Sequence, residues 1–125
     1  MNRLLIAAIF AFVAPVAAAD AASARDMARC QAMSSTFGPK QKQIAEMKDA
    51  RDAQAEIVET TGEAWDDVEI LRNASAANAA KADAARAAYE TAKAELVRME
   101  QGLQAAVAGL NADIAAYNQS CATEE

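Results

Sequence analysis

Hydrophobic side chains recur every seven residues along the C-terminal part of the chain. One heptad row carries aromatic residues and leucines, and the complementary position carries alanine and methionine: Tyr89, Leu96, Leu103, Leu110 and Tyr117, beside Ala85, Ala92, Met99 and Ala106. A seven-residue spacing sustained over about four heptads is typical of a coiled-coil helix. The pattern predicts a helix over residues 75–120.

A second heptad row predicts another long helix earlier in the chain. It runs through Ile44, Arg51, Val58 and Trp65, and the same register extended backwards reaches Phe37 and Cys30. Gly38 and Pro39 interrupt this row, because proline disrupts a helix interior but is favourable in a first turn. We therefore predict helices over 22–35 and 39–72. The first is either a kinked extension of the second or a third helix that folds back.

The segment Asn73-Ala74-Ser75 supplies a turn between the two long helices. Asparagine can adopt the left-handed conformation that ends many helices, and serine is a favoured N-cap of the next helix. The two helices are therefore expected to run antiparallel. At 1.5 Å per residue, arms of about 45 residues give a rod roughly 65 to 70 Å long.

The only cysteines, Cys30 and Cys121, lie near the open end of this predicted hairpin. With a turn centred near Ser75, residues face each other when their numbers sum to about 151, as the two cysteine numbers do. We therefore expect a disulfide between them. The same rule predicts further facing pairs: Phe37 with Ile114, Ile44 with Val107, Arg51 with Glu100, Val58 with Lys93, Gly62 with Tyr89, and Trp65 with Arg86.

The predicted fold class is all-α: a long, antiparallel, coiled-coil-like helical hairpin with one disulfide. The composition agrees, since alanine, glutamate, lysine, arginine, glutamine and methionine are frequent and all favour helices. Two helices bury only one stripe each, so association of two hairpins into a homo-oligomer is a further expectation. The residues predicted to form the helix seam are Phe37, Ile44, Val58, Trp65, Tyr89, Leu96, Leu103, Leu110 and Tyr117.

The N-terminus carries the three parts of a secretory signal peptide. A basic residue, Arg3, precedes an apolar run over 4–13, and the small residues Ala17 and Ala19 precede Asp20. The apolar run is shorter than the ~20 residues that a bilayer core requires. Cleavage before Asp20 is therefore expected.

This interpretation makes residues 1–19 a signal peptide and residues 20–125 the mature helical hairpin domain. The expected location is the bacterial periplasm, or the medium if the source is not Gram-negative. An uncleaved N-terminus is the alternative, and it would make the protein a membrane-anchored coiled coil. Contact with a membrane is expected only through this segment.

The charge distribution argues against nucleic acid as a partner. The chain has 18 acidic and 12 basic residues, a formal net charge of −6, and the two signs are interspersed along the mature part. Such a surface repels a polyanion. The chain also has no histidine and no recognisable catalytic motif, so we expect neither an enzyme nor a bound cofactor.

One short motif carries metal-binding chemistry. Met27, Cys30 and Met33 are spaced to lie on one helix face, and thioether and thiol sulfurs suit a soft metal such as Cu(I). The simpler interpretation is a heptad core with a structural cysteine, because methionine commonly fills such positions and Cys30 has Cys121 as a partner. No metal site is therefore assigned.

The sequence favours a non-enzymatic, exported helical protein that acts as a structural or protein-binding module of the cell envelope. Its protein partner is not identified by the sequence. Two other functions are kept as alternatives. One is a holdase-like periplasmic chaperone that grips unfolded clients between its arms, and the other is a soft-metal carrier that uses the methionine and cysteine motif.

Overall fold

The computed structural model describes the backbone of residues 16–121 and the side chains of residues 23–121. Three α-helices account for most of this part: α1 (Val16–Ser35), α2 (Phe37–Glu69) and α3 (Ala76–Ser120), with a short 3₁₀ helix at Arg72–Ala74. No strand occurs in this range. α2 and α3 pack along each other as the two arms of a hairpin, which confirms the predicted fold class.

The break between the first two helices is a bend of one residue. Thr36 separates α1 from α2 and itself has helical dihedral angles, φ −82° and ψ −18°. Pro39 is the third residue of α2, where its missing N–H leaves no intrahelical bond unmade, and the amide of Lys40 donates to the Thr36 carbonyl at 3.2 Å. α2 therefore begins two residues before the predicted start at Pro39.

α1 does not fold back as a third helix. Cys30 of α1 and Phe37 of α2 both contact the end of α3, through Cys121 and Tyr117 respectively. Side chains 23–29 are all exposed. α1 is thus the kinked extension of the α2 arm, and its N-terminal part projects beyond the end of α3.

The turn at the other end differs from the predicted one in its first half. α2 ends at Glu69, and the chain leaves it through short-range bonds from Leu71 N to Val68 O and from Ala74 N to Leu71 O. None of the described residues has a positive φ, so the prediction of a left-handed Asn73 was wrong. The 3₁₀ bonds satisfy the terminal carbonyls instead. Ser75 caps α3 as predicted, accepting a bond from Asn78 N at 3.0 Å.

A disulfide between Cys30 and Cys121 closes the open end of the hairpin. Their Cα atoms are 5.6 Å apart across 91 residues of sequence. The bond is compatible with an oxidising, exported compartment. Residues 1–15, which contain most of the expected signal peptide, lie outside the described residues, so its cleavage stays a prediction. In the described part of the chain, no helix is long and apolar enough to cross a membrane.

The seam between α2 and α3 is narrow. In the described range only Ala82, Ala92 and Leu110 are buried, and of these Ala82 alone is completely shielded from solvent. The other residues of the predicted seam are partly shielded from solvent. Each arm thus covers one stripe of its partner and leaves the rest of its surface in water.

Two facing pairs near the turn agree with the predicted register. A Cβ built on Gly62 would lie 3.3 Å from the ring of Tyr89, so glycine makes room for that ring. The Arg86 guanidinium carbon lies 5.7 Å from the centroid of the Trp65 ring, within cation–π range. The Lys93 ammonium lies 5.0 Å from the Tyr89 ring centroid, so this lysine contacts an aromatic face.

The predicted ion pair between Arg51 and Glu100 was wrong. Arg51 pairs with its neighbour Asp52 at 3.1 Å, and Glu100 is exposed. The contacts on either side of Arg51, from Met47 to Gly102 and from Gln54 to Ala92, have residue numbers that sum to 149 and 146 instead of 151. The positions of α3 that face Arg51 therefore lie two to five residues before Glu100. The Arg51 Nε is buried and has no hydrogen-bond partner among the described residues.

Of the two apolar layers predicted near the disulfide, the one of Ile44 with Val107 differs from the prediction, and the pairing of Phe37 with Ile114 stays a prediction. Val107 is 39% exposed, and Ile44 instead shares a shallow groove with Ala106 and Leu110. Phe37 makes an edge-to-face contact with Tyr117 at 5.5 Å between ring centroids. Edge-to-face pairing is the arrangement that aromatic quadrupoles favour, so the ring of Tyr117 supplies the main aromatic contact of Phe37.

Polar side chains tie the turn to both arms. Arg72 donates to Glu69 at 2.7 Å and to Asp83 of α3 at 2.8 Å, and the Trp65 indole N–H donates to Glu69 at 3.0 Å. These bonds, from Arg72 first and Trp65 second, hold the pKa of the Glu69 carboxyl below its usual value. The only tryptophan of the chain is therefore bonded directly to this carboxylate.

We predict that removing the disulfide strongly destabilises the hairpin. The double variant Cys30→Ser/Cys121→Ser should lose up to about 4 to 5 kcal/mol of unfolding free energy, because the bond closes a long loop in the unfolded chain. Urea denaturation followed by circular dichroism at 222 nm measures the loss. An unchanged urea midpoint would contradict the closure described here.

Trp65 fluorescence should titrate with Glu69. Because the folded pKa of Glu69 is lowered, its stabilisation of the turn is complete above the unfolded pKa and is lost as pH falls through the folded pKa. We expect an emission change with its midpoint below the ordinary glutamate pKa. The matched variant Glu69→Gln should abolish the change, and an identical titration in that variant would contradict the contact.

Two glycines of the arms provide a matched test of packing. Gly109→Ala should stabilise the protein by about 1 kcal/mol through helix propensity, because nothing lies within 4 Å of the added Cβ. Gly62→Ala should gain less, since its Cβ must displace the Tyr89 ring. Urea midpoints of the two variants measure the difference. Equal gains would show that the ring does not pack there.

Candidate protein-binding face

One flank of α2 carries no charged side chain over about five helical turns. Its residues are spaced by three or four positions, which places them on one side of the helix. All but Val68 are exposed. They are Ala50, Ala53, Ile57, Thr60, Ala64 and Val68.

A matching uncharged flank lies beside it on α3. These residues also follow a three- and four-residue spacing, and all are exposed. They are Ala84, Ala87, Ala88, Thr91 and Ala94. Together the two flanks form a continuous surface, referred to below as the uncharged face.

A groove of about 760 Å³ runs between the two arms on the uncharged face. Ile57 and Thr61 line one wall, and Ala87, Ala88 and Thr91 line the other. Ile57 is 48% exposed although it is a large apolar side chain. The groove therefore offers apolar surface that nothing in the described chain covers.

The polar atoms of the groove are largely satisfied by the hairpin itself. The Thr61 hydroxyl donates to the Ile57 carbonyl at 2.7 Å, and the Thr91 hydroxyl donates to the Ala87 carbonyl at 2.8 Å. Gln54 donates across the seam to the Ala92 carbonyl at 3.0 Å. A ligand that enters the groove thus meets methyl groups, hydroxyls already engaged with the backbone and, at one end, the paired side chains of Glu95 and Arg98.

Charged residues mark both ends of the uncharged face. Lys81 lies on α3 near the turn, and it forms no ion pair among the described residues. At the other end Arg98 donates from Nε to Glu95 at 2.9 Å, and this bond lowers the pKa of the Glu95 carboxyl. The face is thus an apolar strip that has the basic Lys81 at one end and the ion pair of Arg98 with Glu95 at the other.

The opposite flank of α2 is acidic. Its carboxylates follow spacings of four and three residues, so they form one stripe that faces away from the groove: Asp52, Glu56, Glu59, Glu63 and Asp66. Asp52 is partly neutralised by Lys48 and Arg51, and the bond from Lys48 lowers its pKa. The hairpin therefore has two faces of different character.

The methionine and cysteine motif lies at the far end from the turn. The Cys30 sulfur is bonded to Cys121, Met27 is 70% exposed, and Met33 is partly buried. In this oxidised state the motif presents two thioethers and no thiol. Elsewhere in the described range, no group of three or more histidine, cysteine, aspartate or glutamate side chains is arranged to hold a metal ion.

The uncharged face was not predicted from the heptad rows, which concern the seam. The sequence does contain a signal for this face: positions spaced by three or four residues between Ala50 and Val68 carry no charged side chain. No protein family model, curated protein or solved structure matches this chain. The case for the uncharged face therefore rests on its own residues.

Proposed function

We propose that this protein is exported and acts without catalysis, as a structural or protein-binding module of the cell envelope. Its binding surface is the uncharged face. One observation carries this proposal: an exposed apolar groove lies on a long uncharged strip, on a rod whose opposite flank is charged. An apolar patch of this kind on a soluble surface commonly marks an interaction site.

The shape of the groove favours a helix as the binding partner. Amphipathic helices bind by laying an apolar stripe into a hydrophobic groove. The alanines at Ala84, Ala87 and Ala88 allow another backbone to approach closely, and Ile57 supplies an apolar side chain at the groove wall. The engaged hydroxyls of Thr61 and Thr91 place no unpaired polar group against such a partner.

The sequence supports the remaining parts of the proposal. The signal-like N-terminus and the pair of cysteines favour export to an oxidising compartment. The lack of histidine and of any recognised catalytic motif favours a role in binding. The disulfide and the polar turn hold the two arms in one register, which keeps the groove in a fixed shape.

A holdase-like chaperone is the second candidate. Ile70 and Leu71 at the turn are 82% and 56% exposed, and an exposed apolar tip on a rod can contact unfolded clients. This activity would use the tip in addition to the groove. It predicts contacts with many different proteins instead of one.

Site-specific photocrosslinking in the native compartment tests the proposal. A photoreactive residue in place of Ala88, which lines the groove, should give one or a few discrete adducts. The matched control is Glu90, which is also exposed and lies on the opposite side of α3, because two residues advance about 200° around a helix. This position should give few adducts or none.

Equal adducts from the two positions, or none from either, would rule out the uncharged face as the binding surface. A photoreactive residue at Ile70 separates the two candidate functions. Discrete adducts from Ala88 alone support the module, whereas many adducts of different mass from Ile70 support the chaperone.

A further inference from the structure

We infer that the partner of the uncharged face is a second copy of this chain. Two hairpins stack antiparallel, uncharged face against uncharged face, about a two-fold axis that passes close to Ala88. The result is a four-helix bundle with both acidic flanks on the outside. This inference rests on the proposed function, because it names the helices that the groove receives.

The hairpin lacks a covering element of its own within the described residues. α1 leaves in the direction away from the groove, since it continues the α2 arm past the end of α3. The seam buries only Ala82, Ala92 and Leu110 in that range. A second layer of helices is the usual way for amphipathic helices to complete a core.

Net charge limits which surfaces of two copies can meet. Each chain carries a formal charge of −6, so contact between acidic flanks would be repulsive. The uncharged face is free of this repulsion along its whole length. Stacking two of these faces also directs the stripe from Asp52 to Asp66 of each copy into solvent.

In the antiparallel arrangement, the charged residues at one end of the face meet those at the other end of the face on the second copy. Lys81 and Glu95 lie seven residues on either side of Ala88 on the same helix. A two-fold axis at Ala88 stacks α3 on the partner's α3 and brings each Lys81 beside the partner's Glu95, as a second cation next to the carboxylate that Arg98 of that copy already pairs. Lys81 has no ion pair among the described residues of its own chain, and this contact supplies one at each end of the interface.

Small residues let α3 pack closely against the partner's α3. The same axis sets Ala88 against the partner's Ala88 and Ala84 against the neighbourhood of the partner's Thr91. On the other arm, α2 stacks on the partner's α2, and each Ile57 comes level with the partner's Val68. Isologous packing of this kind uses one patch twice, so a single exposed isoleucine fills two equivalent positions.

The size of the face is adequate for a dimer. From Lys81 to Arg98 and over the matching length of α2 it measures roughly 25 Å by 20 Å, using 1.5 Å per residue and a helix diameter of about 10 Å. That gives on the order of 500 Å² from each copy, about 1,000 Å² in all. This area is close to the ~1,000 Å² that a specific interface needs.

Sedimentation equilibrium of the mature, oxidised protein is the first test. The wild type should be a dimer at micromolar concentration, and Ile57→Lys should raise the dissociation constant at least tenfold. The matched control, Glu59→Lys, introduces the same side chain two residues away on the acidic flank and should leave the dimer intact. Circular dichroism and intact mass verify that both variants keep their helices and the disulfide.

A charge exchange tests the antiparallel arrangement. Lys81→Glu chains carry an acid at both ends of the face, and Glu95→Lys chains carry a base at both ends. Each variant alone should dimerise more weakly than the wild type. Mixed together, they should form heterodimers in excess of the statistical fraction, as measured by native mass spectrometry, because both end contacts become attractive.

A protein that stays monomeric up to millimolar concentration, or a dimer that Ile57→Lys leaves intact, overturns the inference. A statistical mixture of the charge variants overturns the antiparallel arrangement. If the protein is monomeric but photocrosslinks from Ala88 reach a different protein, the inference fails and the proposed function stands. If it is monomeric and Ala88 gives no adduct, both fail.

Discussion

The packing of α2 on α3 through one narrow seam determines the remaining properties of this molecule. Small side chains, mainly alanine, let the two arms approach closely, but they bury little apolar surface. The arms are therefore held in register by additions at both ends: the disulfide at one, and the Arg72, Glu69 and Trp65 contacts at the other. The same thin seam leaves a complete flank of each helix available for another partner.

The fold was largely predictable because its determinants are local or covalent. Heptad spacing identifies the arms, Ser75 marks the start of α3, and the cysteine pair together with the turn sets which residues face each other. The predicted side-chain contacts were less accurate at positions where a side chain can pair with any of several neighbours. Arg51 pairs with Asp52 instead of Glu100 because the contacts around it are shifted by two to five residues from the predicted register, and a heptad count does not contain that shift.

The candidate binding face was not predicted, for a related physical reason. Heptad analysis asks which residues are apolar, and alanine contributes little to such a signal. The uncharged face is defined by the charges it lacks, on the side of α2 away from the stripe that includes Glu59 and Glu63. The uncharged flank of α2 and that of α3 are each a weak pattern in the sequence. They form one surface because the register places Ile57 and Thr61 across a groove from Ala88 and Thr91.

The position of the disulfide gives the chain the topology of a ring. The turn joins the arms at one end, and the bond from Cys30 to Cys121 joins them at the other. Helical hairpins ordinarily come apart by fraying from their open end, where each lost contact makes the next loss easier. Here neither end is open, so the arms can separate only by opening a bubble between two fixed points. Because both ends are joined, the arms close such a bubble in the same register, and the groove regains the shape that an incoming helix would meet.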